Sequence, residues 1–199
     1  MSRHTDMLAE RQSLDNAITY GSRKLALKSA RDALKKAKEK CFLGEVEYFK
    51  GQIDLLHERF VLAIDHFDAA ISYNPKDGGA YNDRALSMIE LGIIDEALVY
   101  FNKGIAIEPD YATIYHNKGW LLNNIGRHKE ALECFNKALS LEPGRAVTYD
   151  NVADARLNLG DIKGAKYAYE MVLKLLKPGE CRWIRKQITT KIKALQTIL

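Results

Sequence analysis

Residues 78–109 recur at 112–143 with a constant offset of 34 positions. Ala80-Tyr81-Asn82-Asp83-Arg84-Ala85 aligns with Ile114-Tyr115-His116-Asn117-Lys118-Gly119, and Asp95-Glu96-Ala97-Leu98 with Lys129-Glu130-Ala131-Leu132. Phe101 falls on Phe135, Gly104 on Ala138, and Glu108-Pro109 on Glu142-Pro143. A period of this size predicts stacked supersecondary units, each burying its apolar face against its neighbours, rather than one globular core.

The same frame extends to 44–75 upstream and to 146–178 downstream, the last copy with one extra residue before its proline. Small residues share one column (Gly51, Ala85, Gly119, Ala153). Alanines share a second (Ala63, Ala97, Ala131, Ala165), and aromatics a third (Phe67, Phe101, Phe135, Tyr169). Small side chains let the two helices of a hairpin cross closely, and the aromatics are expected to fill the wider gaps between repeats. Tyr115, Gly119, Gly126, Ala131, Phe135, Ala138 and Pro143 together resemble the tetratricopeptide repeat family. Its motif places an aromatic and a small residue on the first helix, a glycine at the turn, alanine–aromatic–alanine on the second helix, and a closing proline. The resemblance covers residues 44–178 and implies an all-α, right-handed superhelix of paired antiparallel helices. It leaves the ligand open, because a fold does not specify a function.

Residues 1–43 are expected to form a degenerate N-terminal repeat. A helix over about 8–20 is followed by a break at Gly21-Ser22 and a second helix over Leu25–Cys41, with Ala30, Leu34 and Ala37 at repeat spacing. Residues 44–178 form four repeats, and 179–199 an amphipathic capping helix on which Trp183, Ile184, Ile188, Ile192, Leu195 and Ile198 recur at helical steps. Glu58 stands where the turn glycine belongs in the first of the four. Asp95 and Asp161 stand at the starts of second helices, as cap or dipole partners.

Charge is uneven along the chain. Residues 1–43 carry +5, 44–111 carry −8, 112–178 carry +3 and 179–199 carry +4. The ends are basic and the early repeats acidic, a pattern that steers partners or draws copies of the chain together. No run of 18 apolar residues occurs and Met1-Ser2-Arg3-His4-Thr5-Asp6 has no apolar signal core, so a cytoplasmic protein is expected. The three cysteines, Cys41, Cys134 and Cys181, have no metal-ligand spacing and fit reduced thiols.

The resemblance implies a binding groove lined by the first helices. Carried over position by position, it gives Tyr48, Phe49 and Gln52 from the first repeat and Asn82, Asp83, Leu86 and Glu90 from the second. The third gives Thr113, His116, Asn117, Trp120, Asn123 and Asn124, and the fourth Asp150, Asn151, Asp154 and Asn158. The row is polar. Carboxamides can pair with both donors and acceptors of an extended peptide, and Trp120 offers apolar area with one donor. One subclass of the family clamps a terminal carboxylate with lysine, arginine and asparagine; the early repeats here lack the paired lysines and are acidic, which argues against that mode and for a basic or neutral segment.

A protein or peptide partner is therefore the expected ligand, with no cofactor. Catalysis is not expected: the five histidines lack metal spacing and no phosphate loop or nucleophile motif occurs. Nucleic acid is not expected either, because the central region is acidic and groove aromatics do not alternate with cations. A homo-oligomeric scaffold, in which basic ends meet acidic repeats of a neighbour, stays open beside the adaptor role.

Overall fold

The computed structural model describes residues 7–176 and 181–197. The N-terminal hexapeptide with His4, the closing Pro178-Gly179 and Ile198 lie outside the described residues. All regular structure among the described residues is helical, as the repeat pattern requires. The chain divides into two compact units, Met1–Pro109 and Asp110–Leu199. The first contains α1 (Leu8–Tyr20), α2 (Arg23–Glu39), α3 (Leu43–Leu56), α4 (Phe60–Tyr73), α5 (Gly78–Glu90) and α6 (Ile94–Ile107). The second contains α7 (Ala112–Asn124), α8 (His128–Leu141), α9 (Ala146–Asn158), α10 (Ile162–Leu175) and α11 (Arg182–Gln196).

Consecutive helices pair as antiparallel hairpins: α1 with α2, α3 with α4, α5 with α6, α7 with α8, and α9 with α10. The buried columns are those of the sequence pattern. Ala63, Phe67 and Ala70 are buried on α4, Ala97, Phe101 and Gly104 on α6, and Ala131, Phe135 and Ala138 on α8. Ala165, Tyr169 and Val172 are buried on α10. The small residues opposite them have a direct steric reason. A Cβ on Gly119 would stand 2.7 Å from Cε1 of Phe135, and one on Gly51 2.7 Å from Cε1 of Phe67.

The turns inside the α3–α4, α5–α6, α7–α8 and α9–α10 hairpins each use a left-handed residue, whereas Gly21 between α1 and α2 has φ −99°. Gly92, Gly126 and Gly160 adopt φ of 76°, 82° and 76°, and Glu58 in the same column adopts 61° despite its side chain. The backbone geometry of the turn thus persists where the glycine is missing, at a cost that other residues of the hairpin offset.

The two expected roles at the second-helix starts divide between the two carboxylates. Asp161 accepts a hydrogen bond from the Gly164 N–H at 2.8 Å, as a cap should. Asp95 makes no such bond, because Ile93 holds the cap position of α6 and Asp95 falls in the first turn, where only its charge acts on the dipole. Ser22 accepts from the Leu25 N–H at 3.3 Å, so α2 begins at Arg23, two residues before its apolar pattern. α11 packs on α10 through Ile188, Ile192 and Leu195. Arg185 donates to the carbonyls of Leu173 and Leu176 at 3.0 and 2.9 Å, closing the open end of α10. Trp183, read as part of that apolar seam, is 65 % exposed. No helix among the described residues is long and apolar enough to cross a membrane.

Candidate functional site

The first helices adjoin within each unit, α3 beside α5 and α7 beside α9. A residue at the fifth position of one first helix meets the sixth position of the next. In the first unit the Tyr48 hydroxyl donates to Asp83 at 2.8 Å; in the second, the Asn151 amide meets Nε2 of His116 at 3.5 Å. The repeat period thus turns a sequence column into a side-chain ladder.

In the first unit this ladder is dry. Tyr48, Gln52, Asn82 and Asp83 are all buried. Gln52 donates to Asp83 and, at 3.1 Å, to the Tyr48 oxygen, while Asn82 donates to Asp83 at 2.8 Å. Burial, with the charge of Asp15 added, pushes Asp83 up to about 7, against the hydrogen bonds from Tyr48 and Asn82. Glu90, at the end of the same row, is exposed, and Leu86 is half-buried.

The sequence reading did not assign the group that closes this face. Arg11 of α1 lays its guanidinium 3.6 Å from the centre of the Tyr48 ring. It donates to both oxygens of Glu45, at 3.1 and 3.0 Å, and to both of Asp77, at 3.0 and 2.6 Å. Asp77 is also the cap of α5, accepting from the Ala80 N–H at 3.1 Å. One more backward step of the 34-residue frame puts Arg11 in register with Glu45, and that step was the available signal.

The second unit presents a more open face. His116 is buried, with Nδ1 2.9 Å from the Thr148 hydroxyl. Asn117, Asn151, Asp150 and Asp154 are half-buried, Asn124 and Asn158 exposed, and Trp120 is 37 % exposed. Asn123 accepts from Asn158 at 3.4 Å and contacts Nδ1 of His128 at 2.6 Å. Thr113 accepts from Arg145 at 2.8 Å. Neither Trp120 nor Asn124 has a polar partner among the described residues. At the far edge Lys191 of α11 lies 3.3 Å from Asp150 and 3.4 Å from Asp154, and the Tyr169 hydroxyl donates to Asp154 at 2.6 Å. Among the described residues no group of three His, Cys, Asp or Glu side chains could hold a metal ion.

Burial, with the positive charge of Arg145 added, pulls His116 down to about 3. Its folded value lies below the unfolded one, so its contribution to stability is full above about 6.5 and is lost as pH falls toward 3. Urea unfolding of the second unit, followed by the fluorescence of Trp120 and Trp183, is expected to weaken on acidification through this window. His116→Gln should flatten the profile. Parallel profiles for the two proteins would refute the buried neutral imidazole.

Hairpins of two antiparallel helices, repeated with small and aromatic residues in fixed columns, define a helical-repeat protein. The family model of the tetratricopeptide repeat matches residues 112–145. Residues 112–145 thus carry a tetratricopeptide repeat, and the helical hairpins around them share its fold. Among solved structures the chain is similar to TTC0263, a thermophilic TPR protein of Thermus thermophilus, with 18% identity, a TM-score of 0.72, and 91% of this chain and 97% of that one covered. It is also similar to YrrB, a TPR protein with an unusual peptide-binding site, at 16% identity and a TM-score of 0.60, covering 93% of this chain and 88% of that one. A third is the first TPR of Spaghetti (RPAP3) bound to the HSP90 peptide SRMEEVD, at 20% identity and a TM-score of 0.55, covering 62% of this chain and 93% of that one. Comparison with curated proteins gives no match.

Proposed function

We propose that the chain is a non-catalytic interaction scaffold that binds an extended segment of a partner protein against its first-helix faces, chiefly α7 and α9. The observation that carries this reading is Trp120, a large aromatic 37 % exposed whose indole N–H has no partner among the described residues. Unsatisfied amphipathic aromatics of this kind serve as interface anchors. Asn124 beside it is equally unused, and Asn117 and Asn151 stand within reach of a strand laid along the row. Asp150, Asp154 and Asn158 extend the row, with the two carboxylates already matched by Lys191, which favours a neutral segment. The corresponding positions of the first unit, Tyr48, Gln52, Asn82 and Asp83, are buried and hydrogen-bonded within their own row, so that unit offers mainly its exposed Glu90. The peptide complex of the RPAP3 repeat gives a precedent for the fold.

Peptides selected from a random library by the immobilised protein provide the test. Trp120→Ala is expected to weaken the selected peptides about 30-fold, the equivalent of ~2 kcal/mol for an anchor residue. Asn124→Ala and Asn151→Ala should each cost less. Equal affinity for the wild type and Trp120→Ala, with helix content unchanged, would remove the proposal.

A further inference from the structure

α2 carries two opposed stripes. Ala26, Ala30, Ala33 and Ala37 are buried along one line. Two residues away, on the opposite side of the helix, Lys24, Lys28, Arg31, Lys35 and Lys38 follow the same steps of four and three, and all five are exposed. At 1.5 Å per residue they span about 21 Å. Other cations of this region are matched by acids: Arg23 meets Glu58 at 2.8 Å and Lys36 meets Glu10 at 3.0 Å. The stripe is not. Lys35 has only Glu39, at 3.9 Å, and the other four have no ion pair among the described residues. Beside the stripe lie two shallow cavities of about 450 and 400 Å³, which share Leu25, Lys28 and Asp32. Leu25 is 51 % exposed on their common wall.

We infer that this face of α2 is a docking surface for an acidic amphipathic helix of a partner protein. A helix repeats its side chains at the same three- and four-residue steps, so its carboxylates can meet the stripe rung by rung while one apolar side chain seats on Leu25. Isolated exposed pairs contribute little. Register and the apolar seat therefore supply the selectivity, and the uncompensated cations supply fast encounter. Two other anionic partners fit less well. A phosphodiester backbone has no apolar group to seat on Leu25, and α2 offers no aromatic side chain for bases to stack on. An anionic bilayer needs several apolar side chains to insert beside the cations, and Leu25 stands alone on this line. The surface is separate from the α7–α9 face and does not depend on it.

The probe is a fluorescein-labelled 21-residue synthetic peptide with leucine on one helical face and glutamate on the others, read by anisotropy with the full chain. A scrambled peptide of identical composition, vesicles of phosphatidylserine and phosphatidylcholine, and a 20-nucleotide single-stranded DNA are the comparisons. The amphipathic peptide should bind at least tenfold tighter than its scramble. Lys28→Glu with Arg31→Glu should weaken it tenfold or more, and Lys163→Glu on α10 should leave it unchanged. Leu25→Gln should narrow the gap between peptide and scramble. Equal binding of the two peptides, no binding of either, or tighter binding to the vesicles or the DNA would each overturn the assignment.

Discussion

Arg11→Ala is expected to destabilise the first unit by about 3–5 kcal/mol, the range for breaking a buried ion pair from one side. The side chains involved are nearly closed to solvent: 12 % exposed for Arg11, 8 % for Glu45 and 4 % for Asp77. Removing the guanidinium takes the Arg11 charge away from two nearly buried carboxylates, and a flat cation off the Tyr48 ring. Arg11→Lys should recover only part, because an ammonium cannot make the forked pairs to two carboxylates at once. The triple variant Arg11→Met, Glu45→Gln, Asp77→Asn should return most of the loss, since it removes the charges together and an asparagine can still cap α5. Both tryptophans lie in the second unit, so amide hydrogen exchange in α3 and α5 is the suitable readout. Exchange in Arg11→Ala within about 1 kcal/mol of wild type would show that water reaches this cluster and that the pairs are weak surface ones.

Phe135→Ala is expected to cost about 3–5 kcal/mol in the second unit, as deletion of a fully buried ring in a tight seam does. The ring is 0 % exposed and lies across Gly119, with the His116 ring 6.0 Å away centre to centre. Gly119→Leu probes the same contact from the other side. It should overpack by about 1–3 kcal/mol, because even its Cβ falls 2.7 Å from the Phe135 ring and 3.2 Å from the Ala131 carbonyl oxygen. Tryptophan-monitored thermal melts measure both. An unchanged midpoint in either variant would mean that the small-residue column does not set the helix crossing.

The columns were readable because they are geometry. Gly51, Ala85, Gly119 and Ala153 mark where helices cross, and the alanine–aromatic–alanine triplets mark the stripe that meets them, so a fixed offset in sequence becomes a fixed contact in space. The turn was readable even through its exception, since Glu58 takes the backbone conformation of the glycines it aligns with. The row of first-helix residues was readable as positions. What a single position does was not. Whether Asn82 faces a ligand or a neighbour depends on Asp83, Tyr48 and Gln52 at once, and in the folded unit Asn82, Tyr48 and Gln52 all turn a donor to Asp83. Arg11 was hidden for a different reason. It belongs to the degenerate repeat, where the motif residues that fix register are absent, and its partners lie 34 and 66 residues away. Trp183 reads as part of an amphipathic stripe, yet α11 closes on α10 one turn later, through Ile188 and Ile192.

The central claim is that a partner segment lies along α7 and α9. Titration of a library-selected, unlabelled peptide into the ¹⁵N-labelled chain, followed by amide and side-chain chemical shifts, tests it most directly. The largest shifts are expected at the Trp120 indole N–H and at the carboxamides of Asn117, Asn124 and Asn151, with smaller ones at Asp154 and Asn158. Shifts confined to α8 and α10, or to the first unit, with the Trp120 indole unmoved, would contradict it.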